Sequence, residues 1–152
     1  MTEKELFKIA LKFVLKWEGG YVNNPNDKGG ATNKGITQTT YNAWLRAKGQ
    51  NIKDVRHITD AEVREIYYNN YWLKAVCDKM SEKFAIAAFD TAVNMGVSRV
   101  GEFLKAAEYK YVEKFIFARI NKYLEFAKVG NQKIFLQGWL NRVMDLVKFI
   151  GI

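Results

Sequence analysis

Apolar residues in the first twenty positions recur at helical spacing. Leu6, Ile9, Ala10, Phe13 and Trp17 keep one face, while Lys4, Lys8, Lys12 and Lys16 interrupt the stretch every four residues. This pattern predicts an amphipathic helix whose lysine row is a solvated face. Thr2 and Glu5 have the spacing of a capping box that starts it, and Gly19-Gly20 should stop it. Between Gly20 and Thr37 the periodicity disappears. Asn23, Asn24, Pro25, Asn26, Asp27, Gly29, Gly30, Asn33 and Gly35 crowd together there, residues that accept positive φ or hydrogen-bond their own backbone. A small β-hairpin or structured loop is expected in this segment, and strand nowhere else.

After Thr37 the pattern is helical to the end. Thr37 should cap a helix carrying Tyr41, Trp44 and Leu45, and Thr59 with Glu62 forms a second capping box ahead of Val63, Ile66, Tyr67 and Leu73. Ser81 should cap a helix that is apolar nearly all round from Phe84 through Phe89, hence central to the fold, with Gly96 as its stop. Ser98 opens a short helix. Residues 106–126 read as one longer helix with a seam of Tyr109, Val112, Phe115 or Ile116 and Ile120, and 132–150 complete the chain. The fold class is therefore mainly α, with no internal repeat or linker, and residues 1–152 form a single domain.

Composition narrows the chemistry. The 152 residues are 49% hydrophobic and 26% charged, a balance that buries a real core. Twenty-four Lys+Arg against sixteen Asp+Glu give a formal charge of +8, which suits a polyanionic partner. The excess sits at the two ends: residues 1–60 and 111–152 each carry +4, and 61–110 carry none. Cys77 is the only cysteine and His57 the only histidine, so an intrachain disulfide, a Cys-rich metal cluster and a two-His metal motif are all excluded. His57, in the polar stretch Asp54-Val55-Arg56-His57, reads as a surface residue. Acid–base work falls to carboxylates, and no metal or cofactor is expected. No segment has the length and apolarity of a membrane span, and the N-terminus lacks the apolar run of a signal peptide. Synthesis in the cytoplasm without stable membrane insertion is the expectation.

One carboxylate stands out by its setting. Trp17-Glu18-Gly19-Gly20-Tyr21 puts Glu18 at the end of the first helix, between two aromatics. A carboxyl held against aromatic surface loses solvation in its charged form, which suits a proton donor. A helix-terminal surface glutamate would look the same. Asp27 lies nine residues on, in the polar loop, and Thr32 five beyond that. Glycoside hydrolysis uses such a pair, one carboxyl protonated to assist the leaving oxygen and one ionised; each is equally a turn former. Asp90 and Asn94, four apart on the apolar central helix, share one face and need polar partners from the core or from a sugar. Tyr71, Trp72 and Trp139 fit either core packing or stacking on sugar rings.

The run Glu18-Gly19-Gly20-Tyr21, then Asn24-Pro25-Asn26-Asp27-Lys28-Gly29-Gly30-Ala31-Thr32-Asn33-Lys34-Gly35-Ile36-Thr37, closely resembles the signature of the glycoside hydrolase family 108 muramidases, lysozyme-like enzymes of phages and bacteria. Tyr71-Trp72, Phe89 to Gly96 and Gly138 to Arg142 resemble its later blocks. The resemblance implies a lysozyme-like helical domain that cleaves the β-1,4 bond between N-acetylmuramic acid and N-acetylglucosamine in peptidoglycan. It implies Glu18 as the catalytic acid. Related phage lysozymes continue Glu-x8-Asp-x5-Thr; here Asp27 keeps the first step and Thr32 falls one residue short of the second. Asp27 and Thr32 would then hold a water for inverting attack, with Tyr21, Asn33, Asp90 and Asn94 as substrate-binding candidates. Family members carry a longer C-terminal region with a wall-binding motif; Ser98 to Lys110 shows none, so the helices from about 106 onward are expected to complete the catalytic domain. The implied role is that of an endolysin, a monomer acting on bacterial peptidoglycan and released by a phage holin.

Two rival classes remain open. A lytic transglycosylase shares the fold class and the glutamate but needs no second carboxylate. A basic helical protein that binds nucleic acid or the wall without catalysis fits the charge, yet no recognition motif supports nucleic acid. Gly30 to Thr37 lacks the lysine of a phosphate loop, since Ile36 follows the second glycine, and Lys28 occupies a position a calcium loop would need.

Overall fold

The computed structural model describes residues 1–152. Helix α1 (Glu3–Trp17) starts with the expected capping box: Thr2 Oγ1 accepts from the Glu5 N–H at 3.2 Å, and the Glu5 carboxylate accepts from the Thr2 N–H at 2.7 Å. The helix stops one residue before the glycine pair. Glu18 still donates its N–H to Val14 O, but its own backbone has turned extended (φ −87°, ψ 143°).

The polar segment forms the hairpin, β1 (Thr32–Asn33) and β2 (Ile36–Thr37), paired antiparallel with Asn33 opposite Ile36. Lys34 and Gly35 are thus a two-residue turn, and both take positive φ (52° and 77°), which matches the twist of a tight hairpin. Val22 bridges Thr32 on the other side, so the chain leaving Glu18 runs antiparallel to β1. Helix α2 (Gln38–Ala47) follows, with Thr37 Oγ1 accepting from the Thr40 N–H.

Helix α3 (Asp60–Tyr67) opens on the Thr59/Glu62 capping box and then widens into a π-helical stretch, Tyr68–Leu73. The wider turn shifts the side-chain phase, so Leu73, read as an apolar position of a regular helix, is partly exposed, while Trp72 is fully buried. Trp72 Nε1 donates to Glu3, pinning this stretch to the start of α1.

Helix α4 (Glu82–Met95) is the central element. Ala85 to Ala92 are all buried, and the helix packs against α1 and the three helices that follow it: α5 (Val97–Ala106), α6 (Val112–Ala127) and α7 (Leu136–Ile150). Ser81 stands at its N-cap without a side-chain hydrogen bond, and Ser98 lies inside α5, one residue past its start. The single helix read over 106–126 is broken. Glu108 and Tyr109 both adopt left-handed φ (56° and 54°), with the Tyr109 N–H closing α5 on Leu104 O. Ala107 is buried, and the reversal there lays Val112, Phe115 and Ile116 back on the core; Tyr109 is left exposed. No glycine or proline marks this turn in the sequence. No helix is long and apolar enough to cross a membrane.

Gly96 ends α4 with φ 94° and ψ 151°, a region essentially confined to glycine. Replacing Gly96 by alanine is expected to cost about 1–3 kcal/mol, read as a lowered midpoint in denaturant unfolding at unchanged slope.

Candidate active site

Glu18 is held from two sides. Arg142 Nη1, on α7, donates to Glu18 Oε1 at 3.0 Å. On the other side the hairpin turn closes over it: a β-carbon at Gly35 would lie 2.9 Å from Glu18 Oε2 and 3.0 Å from its Cγ, and would also strike the Tyr67 hydroxyl. Gly35 therefore serves both its positive φ and this close approach. Tyr67 donates its hydroxyl to Lys34 O at 2.8 Å, tying the turn to α3. Glu18 Oε2 takes no protein donor and is not buried.

The aromatic surroundings of Glu18 differ from those read in the sequence. Trp17 donates its indole N–H to Asp145 at 2.8 Å, and Tyr21 lies under the Arg56 guanidinium at 4.5 Å. The tyrosines that meet Glu18 are Tyr67 and Tyr71, with ring centroids 5.4 Å apart. Burial first, and the charge of Glu18 second, hold both phenols above their ordinary range. The α3 signal gave no reason to expect them there, because the π-helical phase decides where Tyr71 points.

Behind Glu18 lies a buried ionic cluster. Asp90, fully buried on α4, accepts from Arg142 Nε at 3.0 Å and Nη2 at 2.8 Å, and its other oxygen pairs with Arg119 Nη1 at 2.8 Å. Arg119, also fully buried, donates further to Thr91 Oγ1 and Tyr123 OH, leaving Nη2 without a protein partner. Burial pulls the Arg142 guanidinium down, but Asp90 and then Glu18 outweigh it and keep the charge firmly in place. Asp90, expected among the substrate-binding candidates, is fully buried, and both of its oxygens are taken by arginines. Arg119 and Arg142 were missed as site residues, although a carboxylate on an all-apolar helix signals that cations must reach it from elsewhere.

The remaining candidates are scattered around this centre. Asn33 is buried and donates its amide to Val55 O and Arg56 O, so it anchors the hairpin on the turn at 55–57. Tyr21 is engaged by Arg56 beside the same turn. Asp27 is exposed, and its Oδ1 accepts from the Gly29 N–H at 3.2 Å in a local turn. Thr32 shares a strand face with Val22 and Thr37. Neither Asp27 nor Thr32 makes a hydrogen bond to Glu18. Asn94 is half-buried, one turn beyond Asp90, and its Oδ1 accepts from Tyr123 OH.

Residues 11–96, more than half of the chain and all of the segment from Glu18 to Asn94, match the sequence profile of the family Glycosyl hydrolase 108. The chain belongs to this family. It is a glycoside hydrolase directed at peptidoglycan. Its structure is similar to that of SagA from Brucella abortus, at 27% sequence identity over 97% of this chain and 94% of that one, with a TM-score of 0.76. A search of curated proteins gives no match. The lysozyme-like fold thus extends beyond the family segment to α6 and α7, which bring Arg119 and Arg142 to the site.

Two outcomes are expected. Asp90→Asn leaves two buried guanidinium groups undercompensated and should cost about 3–5 kcal/mol in denaturant unfolding. Tyr41, pushed up to about 12 by burial and by Glu62, joins Tyr67 and Tyr71 in holding its proton late. The unfolded chain releases phenolic protons near pH 10 while the folded chain retains these, so stability falls as pH rises above about 10. Ultraviolet phenolate titration followed alongside circular dichroism should show the last tyrosines ionising with unfolding.

Proposed function

We propose that the protein is an N-acetylmuramidase of the endolysin type, cutting the β-1,4 bond between N-acetylmuramic acid and N-acetylglucosamine. The observation that carries this reading is the state of Glu18. One oxygen is fixed by Arg142, while the other is free of protein donors beside the Gly35 turn of the hairpin. A general acid needs this combination, a carboxyl that cannot rotate away and one oxygen left for the leaving group. Asp27 and Thr32, on the hairpin side, position the attacking water, and Asn94 contacts the substrate. Asp27 is exposed to solvent on that side. A gap of about 6.5–9.5 Å between the carboxyls would give inversion.

Lytic transglycosis is the second reading. It is favoured by one observation: Asp27 bonds only to the Gly29 N–H of its own turn and makes no hydrogen bond to Glu18, and this reading needs no second carboxylate. Here the muramic acid 6-hydroxyl would attack in place of water.

Purified peptidoglycan digested with the protein and analysed by mass spectrometry should yield new reducing ends on muramic acid. Anhydromuramic ends would replace the muramidase by the transglycosylase, and ends on glucosamine or cut peptides would refute both. Glu18→Gln should lower turnover by at least about a thousandfold, and Asp27→Asn by about a hundredfold. Full activity of Asp27→Asn would remove the water-positioning role.

A further inference from the structure

The hydrogen bonds around Tyr123 fix the polarity of Asn94. Arg119 is a donor only, and its Nε donates to the Tyr123 hydroxyl at 3.0 Å. The hydroxyl oxygen is therefore already accepting, and its own proton must find an acceptor. Tyr123 is 1% exposed, so solvent does not supply one. The neighbour within reach is Asn94 Oδ1. Turning the amide over would present Nδ2 to an oxygen that also faces Arg119, and would leave the phenolic proton buried without a partner, an arrangement that hydrogen-bond energetics disfavour. Burial first holds the Tyr123 phenol above its ordinary range, so that proton stays present. Asn94 Oδ1 is thus committed inward. Its Nδ2 has no protein acceptor and is not buried.

We infer that Asn94 is a fixed two-proton donor site for a carbonyl oxygen of the glycan, borne by an N-acetyl or a lactyl group, with Tyr123 and Arg119 as positioning residues. Four residues along α4 place Asn94 about 6 Å from Asp90, and Asp90 holds the arginine that holds Glu18. The donor and the acid are therefore parts of one framework. Hydroxyl groups can donate or accept and would bind either face of an amide; a carbonyl oxygen requires the donor face. The inference rests on the peptidoglycan-hydrolase reading and adds the chemistry that this face selects.

Asn94→Asp tests it with little change of shape. The carboxylate would still accept from Tyr123 and would present an acceptor where the amide presents donors. On soluble peptidoglycan fragments KM should rise about tenfold or more, further than in Asn94→Ala, while kcat stays within about twofold. Tyr123→Phe frees the amide to turn and should raise KM by about three- to fivefold; thermal unfolding of each variant checks that the core is intact. On de-N-acetylated fragments the Asn94→Asp penalty vanishes if the acetamido oxygen is the ligand; a penalty that persists there and vanishes on fragments lacking the lactyl group assigns the lactyl carbonyl, and one that survives both losses means a hydroxyl acceptor and overturns the carbonyl assignment. An Asn94→Asp variant no worse than Asn94→Ala would overturn the donor site while wild-type cleavage stands. Absence of any cleavage by the wild type would instead sink the hydrolase reading beneath it.

Discussion

Asp90 has no contact with water, and two guanidinium groups converge on it from helices far away in sequence. The cluster sets two carboxyl groups, Asp90 and Glu18, against two arginines. Burying Asp90 and its two arginines costs much of what their attraction returns, so the net stabilisation is small. The consequence is geometric. The cluster admits one arrangement of α4, α6 and α7, and through Arg142 it fixes the carboxylate at the end of α1. Ala87, Ala88 and Ala92 on α4 leave room for the surrounding elements to approach closely enough for these bonds to form.

Glu18 also needs that arginine for a local reason. A negative charge at a helix C-terminus meets the negative end of the helix dipole, and α1 ends there. Arg142 offsets this from one side, while the Gly35 turn and the tyrosines of α3 and its π-helical extension close the other. Glu18 thus stands where the helical body and the hairpin meet, each contributing one wall. Motion of the hairpin would alter access to the free oxygen without disturbing the bond to Arg142.

Features set by neighbours in sequence were legible. Both capping boxes, the Thr37 cap, the Gly96 stop and the hairpin arise from contacts a few residues apart, and each formed as read. What failed depends on tertiary packing. The break at 107–111 uses non-glycine residues in left-handed geometry, tolerated because Ala107 is locked in the core. The π-helical phase after Tyr67 decides which tyrosines reach Glu18, and no local signal encodes it. In the site, Glu18 was legible from its glycine-flanked position. The partners of Asp90 were not, because Arg142 lies 52 residues on and reads locally as one more charge on an amphipathic helix. The contacts of Asn33 with Val55 and Arg56 and of Tyr21 with Arg56 join residues more than twenty apart, which no local pattern in the polar loop encodes.

The overall charge and the site charge turn out to be separate properties. Asp90 and its two buried arginines account for only one unit of the +8, so the rest resides elsewhere on the chain. Of the lysine row on α1, only Lys16 has an ion-pair partner, Asp145; Lys4, Lys8 and Lys12 have none. Exposed unpaired cations attract a polyanion at long range and are screened by salt. A buried pair such as Asp90 and Arg142 is screened far less. Attraction to a polyanion and the set of the Glu18 carboxyl therefore answer to different solution conditions, because one uses exposed charges and the other buried ones.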